Sequence, residues 1–231
     1  MYIYAQQDVK NYTVTEAWEP QPRIVTPAKA NSDAPSDAMI IFDGKDLSNF
    51  TKLDGTPAAW SVSGGAFTVA KGTGDIKTKQ TFGDVQLHIE WKSPDVVESE
   101  GQGRGNSGIF IQERYELQVL DNYNNKTYAN GQAGSLYKQH PPLVNACRKP
   151  GEWQTYDIIF IAPRFNKDGR AIEPARITVL HNGVLIQNNT VLTGPTEFIG
   201  LPVYKPHDKA GIKLQDHGNA VSYRNIWVRE L

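Results

Sequence analysis

This sequence is poor in cysteine, in long apolar runs, in helical periodicity and in any excess of charge. Its 231 residues include one cysteine, Cys147, which excludes an internal disulfide; with no partner motif the thiol reads as structural. A chain of this length buries enough surface to fold without covalent staples, so the cysteine count leaves the compartment open. The longest apolar runs, such as Ile158 to Ala162, are strand-length and fall far short of the roughly 20 residues that span a bilayer as a helix. Lys and Arg number 24 against 25 Asp and Glu, a formal net charge of −1. That balance argues against nucleic acid as a partner, and nothing points to a membrane.

Several site chemistries are missing as well. The five histidines, 88, 140, 181, 207 and 217, form no His-x-His or His-Glu-x-x-His spacing, so a transition-metal cluster is not expected. Loop Asp and Asn residues leave room for a structural Ca2+, but no dense acidic loop asks for one. No other cofactor is expected. Gly101-Gln102-Gly103-Arg104-Gly105 has the look of a dinucleotide loop, yet a strand follows it and no helix N-terminus is there to hold phosphate. Ser107 lacks the strand-turn-helix setting of a nucleophile elbow.

What is present is mostly β-strand. Residues 1–38 carry Pro20, Pro22, Pro27 and Pro35, a density that breaks helix and ladder alike, and read as an extended arm. Tyr2-Ile3-Tyr4-Ala5-Gln6 is read as the stub of a cleaved export signal. The body, residues 39–231, opens with Met39-Ile40-Ile41-Phe42. A hairpin is expected around Gly64-Gly65. Val85, Leu87, Ile89 and Trp91 alternate with Gln86, His88, Glu90 and Lys92, the period of a strand with one buried face. Tyr156 to Ala162 is almost continuously apolar and is expected to be covered on both faces. Arg176 to Leu180 turns at His181-Asn182-Gly183 into Val184 to Ile186. Short strands separated by Gly, Pro and Asn turns predict a single all-β domain, a two-sheet antiparallel sandwich of jelly-roll type.

The polar positions of three strands carry the candidate site. They are Glu90 in 85–92, Glu116 and Gln118 in Tyr115 to Asp121, and Lys213 and Gln215 followed by His217. Same-face neighbours along a strand stand roughly 6.5 Å apart and cross-strand neighbours about 5 Å. If these strands adjoin in one curved sheet, the six side chains meet on one concave surface. An ordinary solvated face would alternate too, but Gln118 and Gln215 are amides suited to holding hydroxyls. Asp121 reads as a turn residue and His140 as a loop residue that overhangs a cleft.

The order of the short motifs now resembles a family. Ile41-Phe42-Asp43-Gly44-Lys45-Asp46-Leu47, Gly83-Asp84-Val85-Gln86-Leu87-His88-Ile89-Glu90 and Gly105-Asn106-Ser107-Gly108-Ile109 come first. Tyr115-Glu116-Leu117-Gln118-Val119-Leu120-Asp121, Gly151-Glu152-Trp153, Leu214-Gln215-Asp216-His217-Gly218 and Tyr223-Arg224-Asn225-Ile226 follow. This set resembles the 3-keto-disaccharide hydrolases over residues 39–231. Gln154, where the family often has Asn, and Gln112-Glu113-Arg114, where an Arg-Gly pair is frequent, depart from the pattern.

The resemblance implies a concanavalin A-like sandwich, export to the periplasm or medium, and a carbohydrate substrate whose C3 hydroxyl has been oxidised to a ketone. That ketone acidifies the C2 proton, so a base can open a β-elimination that expels the C1 substituent, and water then adds across the double bond. On this reading Glu116 or Glu90 is the base and His217 or His140 the acid. Lys213, Gln118 and Gln215 hold carbonyl and hydroxyl groups, with Arg114 a further candidate for the enolate. Asn106 belongs with the substrate-contacting set, shaping its turn. Two alternatives stand beside it. One is hydrolysis by a Glu90–Glu116 carboxylate pair. The other is a non-catalytic carbohydrate-binding module with Trp60, Trp153 or Trp227 as a stacking platform. The oligomeric state is left open.

Overall fold

The computed structural model describes residues 12–30 and 32–231; the export-signal reading at residues 2–6 lies outside them. Strands β1 (Met39–Phe42), β2 (Phe50–Lys52), β3 (Ser61–Ser63), β4 (Ala66–Thr68) and β5 (Ile76–Thr78) come first, then the long β6 (Val85–Lys92). Strands β7 (Ser107–Ile111), β8 (Tyr115–Val119), β9 (Gln154–Ile161), β10 (Arg164–Phe165) and β11 (Ala171–Glu173) follow. The chain closes with β12 (Arg176–His181), β13 (Val184–Val191), β14 (Lys213–Leu214) and β15 (Ser222–Glu230). Helix among the described residues is confined to short 3-10 turns, and none is long and apolar enough to cross a membrane.

Two antiparallel sheets form the sandwich predicted from the alternation. The larger runs β13-β12-β9-β6-β15-β4-β3, with β1 also paired to β15; the smaller runs β2-β5-β14-β7-β8. Expected turns are in place. Asn182 and Gly183 take φ of 53° and 80°, and Gly64 and Gly65 take 59° and 77°, the positive values that a two-residue hairpin turn needs to match strand twist.

The seam between the sheets is filled from both sides. Val85, Leu87, Ile89 and Trp91 of β6 meet Tyr115, Leu117 and Val119 of β8, all fully or nearly fully buried. Phe67 packs on Phe42, Phe50, Trp60 and Tyr223, and Trp91 packs on Tyr156. Strand β9 departs from the expectation for Tyr156 to Ala162. It buries Tyr156, Ile158 and Phe160, but Ile159 is 43% exposed, because β9 lies in a sheet whose far face is open at that point.

Two tyrosines tie the sheets together through polar atoms. The Tyr156 hydroxyl donates to the Gln118 carbonyl at 2.9 Å. The Tyr223 hydroxyl donates to Ser107 Oγ at 2.7 Å, which donates to the Gln215 carbonyl at 2.6 Å. Both chains run from the larger sheet to backbone that carries a candidate site residue. Along the outer face of that larger sheet lies the segment before β1: the Ser32 carbonyl accepts from Asn225 Nδ2 and Trp227 Nε1, and Asp37 pairs with Arg229 and Arg23.

Tyr156→Phe removes a buried donor and leaves the Gln118 carbonyl without that partner. It is expected to cost about 1–3 kcal/mol, read as a lower midpoint at unchanged slope in urea unfolding.

Candidate active site

Alternation places a polar row on the outer face of the smaller sheet. Lys77, Lys213, Phe110 and Glu116 are in register across β5, β14, β7 and β8, so their side chains share that face. The next row holds Gln118 opposite Gly108, with the Gln215 backbone N–H donating to the Gly108 carbonyl at 3.0 Å. Gly108 has a steric reason to be glycine. A Cβ there would stand 2.5 Å from Glu116 Oε1 and 2.7 Å from the Phe110 ring, so the absent side chain is the space the carboxyl occupies.

This floor is the base of a cleft of about 540 Å3, lined by Gln102, Asn106, Phe110, Glu116, Gln118, Tyr128, Tyr137, Lys138, Thr196, Phe198, Gln215 and His217. Loops build its walls. Residues 134–137 run along the edge of β8, with Gln118 N bonded to the Ser135 carbonyl and Tyr137 N to the Glu116 carbonyl, which brings Tyr137 over the floor. Thr196 Oγ accepts from Glu116 N at 3.1 Å and donates to the Arg114 carbonyl at 3.0 Å. Gln118 Nε2 donates to Gln102 Oε1 and Asn106 Oδ1, at 3.2 and 3.3 Å.

Glu116 is the electrostatic centre. Its residue is 6% exposed, and its carboxyl accepts no hydrogen bond from the described residues. Burial pushes its pKa up to about 8; the Lys213 ammonium pulls it down and the Asp75 carboxylate adds to the rise. Lys213 Nζ lies 3.2 Å from Asp75 Oδ2 and 3.7 Å from the Phe110 ring centroid. The other Asp75 oxygen accepts from Asp216 N at 2.9 Å, pinning the segment between Gln215 and His217. Glu116 is the one carboxylate among the cleft-lining residues.

A profile of the 3-keto-alpha-glucoside-1,2-lyase-like domain matches residues 37–229. The chain belongs to this family. A Bacteroides thetaiotaomicron protein named 3-keto-disaccharide hydrolase is 27% identical over 234 residues, covering 84% of this chain and 78% of that protein. A crystal structure of a candidate glycosyl hydrolase from Parabacteroides distasonis superposes with a TM-score of 0.91 at 52% identity, over 96% of this chain and 97% of that one. A second structure from the same organism, at 20% identity and a TM-score of 0.61 over 84% of this chain and 94% of that one, shares the fold.

In this family member the structure brings together Glu116, Gln118, Asn106, Gln215 and His217 at the cleft, with Lys213 adjoining Phe110 and Asp75. It separates Glu90 from them. Strands β6 and β8 both turn their odd-numbered residues into the common seam, so Glu90 and Glu116 project from opposite outer faces of the sandwich. Glu90 instead contacts Arg224 Nε at 2.6 Å, Asn225 Nδ2 at 2.9 Å and His88 at 3.7 Å. Burial opposes the charges in this cluster but the contacts outweigh it, holding Glu90 down at about 2 and raising His88, bonded also to Asp157, to about 9.

Three further expectations are corrected. His140 Nε2 contacts the Val191 carbonyl at 3.0 Å and holds a loop behind the cleft wall. Arg114 Nη1 donates to the Gln112 carbonyl of its own turn, away from the floor. Trp153 lies on the larger sheet's outer side, its ring 4.1 Å from the Arg224 guanidinium and 5.6 Å from Lys92 Nζ. The other proposed platforms, Trp60 and Trp227, are buried, and none of the three tryptophans lines the cleft. The carboxylate-pair alternative loses its pair.

The alternation missed Phe110, Asp75 and the wall residues Gln102, Tyr128, Tyr137, Lys138, Thr196 and Phe198. The wall residues come from loops that carry no period, and Asp75 stands just ahead of a three-residue strand.

Two outcomes follow from the buried carboxyl. Because folding raises the Glu116 pKa from near 4.5 to about 8, its ionisation destabilises the folded state progressively over that interval and fully above it. Glu116→Gln is therefore expected to leave stability unchanged below pH 4.5 and to raise it by a few kcal/mol above pH 8, measured as melting temperature against pH. Asp75→Asn is expected to lower the Glu116 midpoint, read by NMR of the carboxyl carbon; an unmoved midpoint would remove Asp75 from the site.

Proposed function

We propose that this protein cleaves the glycosidic bond of 3-keto-glycosides by elimination and rehydration, with Glu116 as the base. The observation that carries this reading is a single buried carboxyl, raised toward neutrality, on the floor of a cleft lined by amides. Hydrolysis by two carboxylates needs a partner acid roughly 5–10 Å away across the scissile bond, and the cleft lining offers none. Elimination needs one strong base, donors for an oxyanion and an acid for the leaving oxygen. The names borne by the relatives, 3-keto-disaccharide hydrolase and glycosyl hydrolase, agree with a sugar substrate.

The steps balance as follows. Deprotonated Glu116 takes the proton from C2, and the C2–H electrons move toward the C3 carbonyl as an enolate. Lys213, held by Asp75, donates to that oxygen. The enolate then collapses, the C1–O bond breaks, and His217 at the cleft mouth protonates the departing oxygen. Once the alcohol has left, the Glu116 carboxyl exchanges its proton with solvent; water then adds its oxygen to C1 and passes its second proton to His217 while Glu116 delivers a solvent-derived proton to C2. The net change is hydrolysis. Gln118, whose Oε1 takes no hydrogen bond from the described residues, accepts from a sugar hydroxyl, and Gln215 and Asn106 complete the hold on the ring. A base whose pKa lies near working pH couples availability with strength, so kcat/KM rises with pH as Glu116 ionises toward about 8 and falls again where the acid loses its proton. A periplasmic or secreted location accompanies this reading.

The test compares a plain glycoside with its 3-keto form in deuterated water. Turnover of the 3-keto form alone, with deuterium at C2 of the released sugar and a loss of about 1,000-fold or more in Glu116→Gln, is expected. Cleavage of the plain glycoside with no label at C2 would exclude the elimination route.

A further inference from the structure

The two ends of the cleft differ in what they offer a ligand. At the floor, the Glu116 carboxyl and Gln118 Oε1 take no hydrogen bond from the described residues, and Gln215 and His217 stand beside them. Along another wall of the cleft, polar side chains engage one another. The Tyr128 and Tyr137 hydroxyls bond each other at 2.7 Å, and Lys138 Nζ donates to the Phe198 carbonyl at 2.6 Å while lying 4.2 Å from the Phe198 ring centroid. The rings of Tyr128, Tyr137 and Phe198 line that wall.

That wall continues into an exposed apolar loop. Phe198, Ile199, Leu201 and Val203 are 69%, 82%, 86% and 64% exposed, all within six residues. The loop is closed at its base like an Ω-loop. At Gly194, φ is +148° and a Cβ would stand 2.9 Å from Val203 N and 3.0 Å from Pro202 C. Gln139 Nε2 also bonds the Gly194 carbonyl. Thr196 stitches the loop to the Glu116 backbone through the hydroxyl described above. A run of large apolar side chains facing water marks a surface that meets something apolar, and this one is continuous with the cleft through Phe198.

We propose that the 194–203 loop is a leaving-group subsite, and that the preferred substrates carry an aryl or similarly apolar aglycone. The proposal rests on the glycoside-cleaving reading of the same cleft. A second sugar in that position would set its hydroxyls against the apolar side chains of the loop, leaving some of them unpaired on desolvation. An aryl group instead buries its face against Phe198, Tyr128 and the loop.

The probes are the 3-keto forms of methyl glucoside, 2-phenylethyl glucoside and a glucosyl-glucose disaccharide. Methanol and 2-phenylethanol are leaving groups of similar acidity, so a difference between them reports the aglycone's contacts. The expected result is a kcat/KM for the phenylethyl compound on the order of 10- to 100-fold above the methyl compound and above the disaccharide. Phe198→Ala and the pair Ile199→Ser with Leu201→Ser should bring the phenylethyl-to-methyl ratio toward one, with Phe198→Leu retaining most of it. Equal rates in the wild type, preference for the disaccharide, or a ratio unmoved in the variants would overturn it. So would a homodimer that the loop variants dissociate with the ratio intact, since the loop would then be a subunit contact. Calorimetry with unoxidised methyl and 2-phenylethyl glucosides separates the two readings. Tighter binding of the phenylethyl compound supports the subsite even if no 3-keto compound is turned over, and equal binding removes it.

Discussion

The seam between the two sheets is the constraint from which the site follows. Strands β6, β8 and β9 each bury one alternating apolar set there, because that apolar surface is the main source of stability in a chain without disulfides. Once Tyr115, Leu117 and Val119 are committed to the seam, Glu116 and Gln118 must point the other way. The same commitment by Leu87, Ile89 and Trp91 sends Glu90 out of the far side. Tyr156 and Tyr223 add direction to this packing, since their hydroxyls reach through the seam and fix the backbone at Gln118 and Gln215.

The two outer faces solve the burial of charge differently. Around Glu90 the protein gathers Arg224, Asn225, His88 and Asp157, so the carboxylate is compensated, low in pKa and chemically quiet. Around Glu116 it withholds hydrogen-bond donors and leaves one ammonium nearby, itself shared with Asp75. A carboxyl kept short of partners is costly to ionise, and that cost is what makes it a strong base near neutral pH. The proposed chemistry and the local instability are therefore the same property.

The cleft becomes a cleft only because loops lean over this face. Residues 134–137 continue the smaller sheet past β8 and carry Tyr137, and Thr196 anchors the apolar loop beside it. Glu116, its wall and its rim are thus joined through backbone hydrogen bonds of one strand. That connection places a polar floor against an apolar rim.

Much of this was legible in the sequence. The period-two pattern gave the strands, the Gly-Gly and Asn-Gly pairs gave the hairpins, and the ordered motifs resembled the 3-keto-disaccharide hydrolases over residues 39–231, a family whose profile matches residues 37–229. Glu116, Gln118 and Gln215 were recognisable as off-core residues with the right chemistry. Alternation, however, states only whether a side chain leaves the core, and two sheets packed face to face offer two ways out. Tertiary packing alone decided that Glu90 leaves by one face and Glu116 by the other. It alone brought Asp75 to Lys213 and the aperiodic loop residues Tyr128, Tyr137 and Phe198 to the rim, because those contacts join segments whose separation along the chain leaves no local trace.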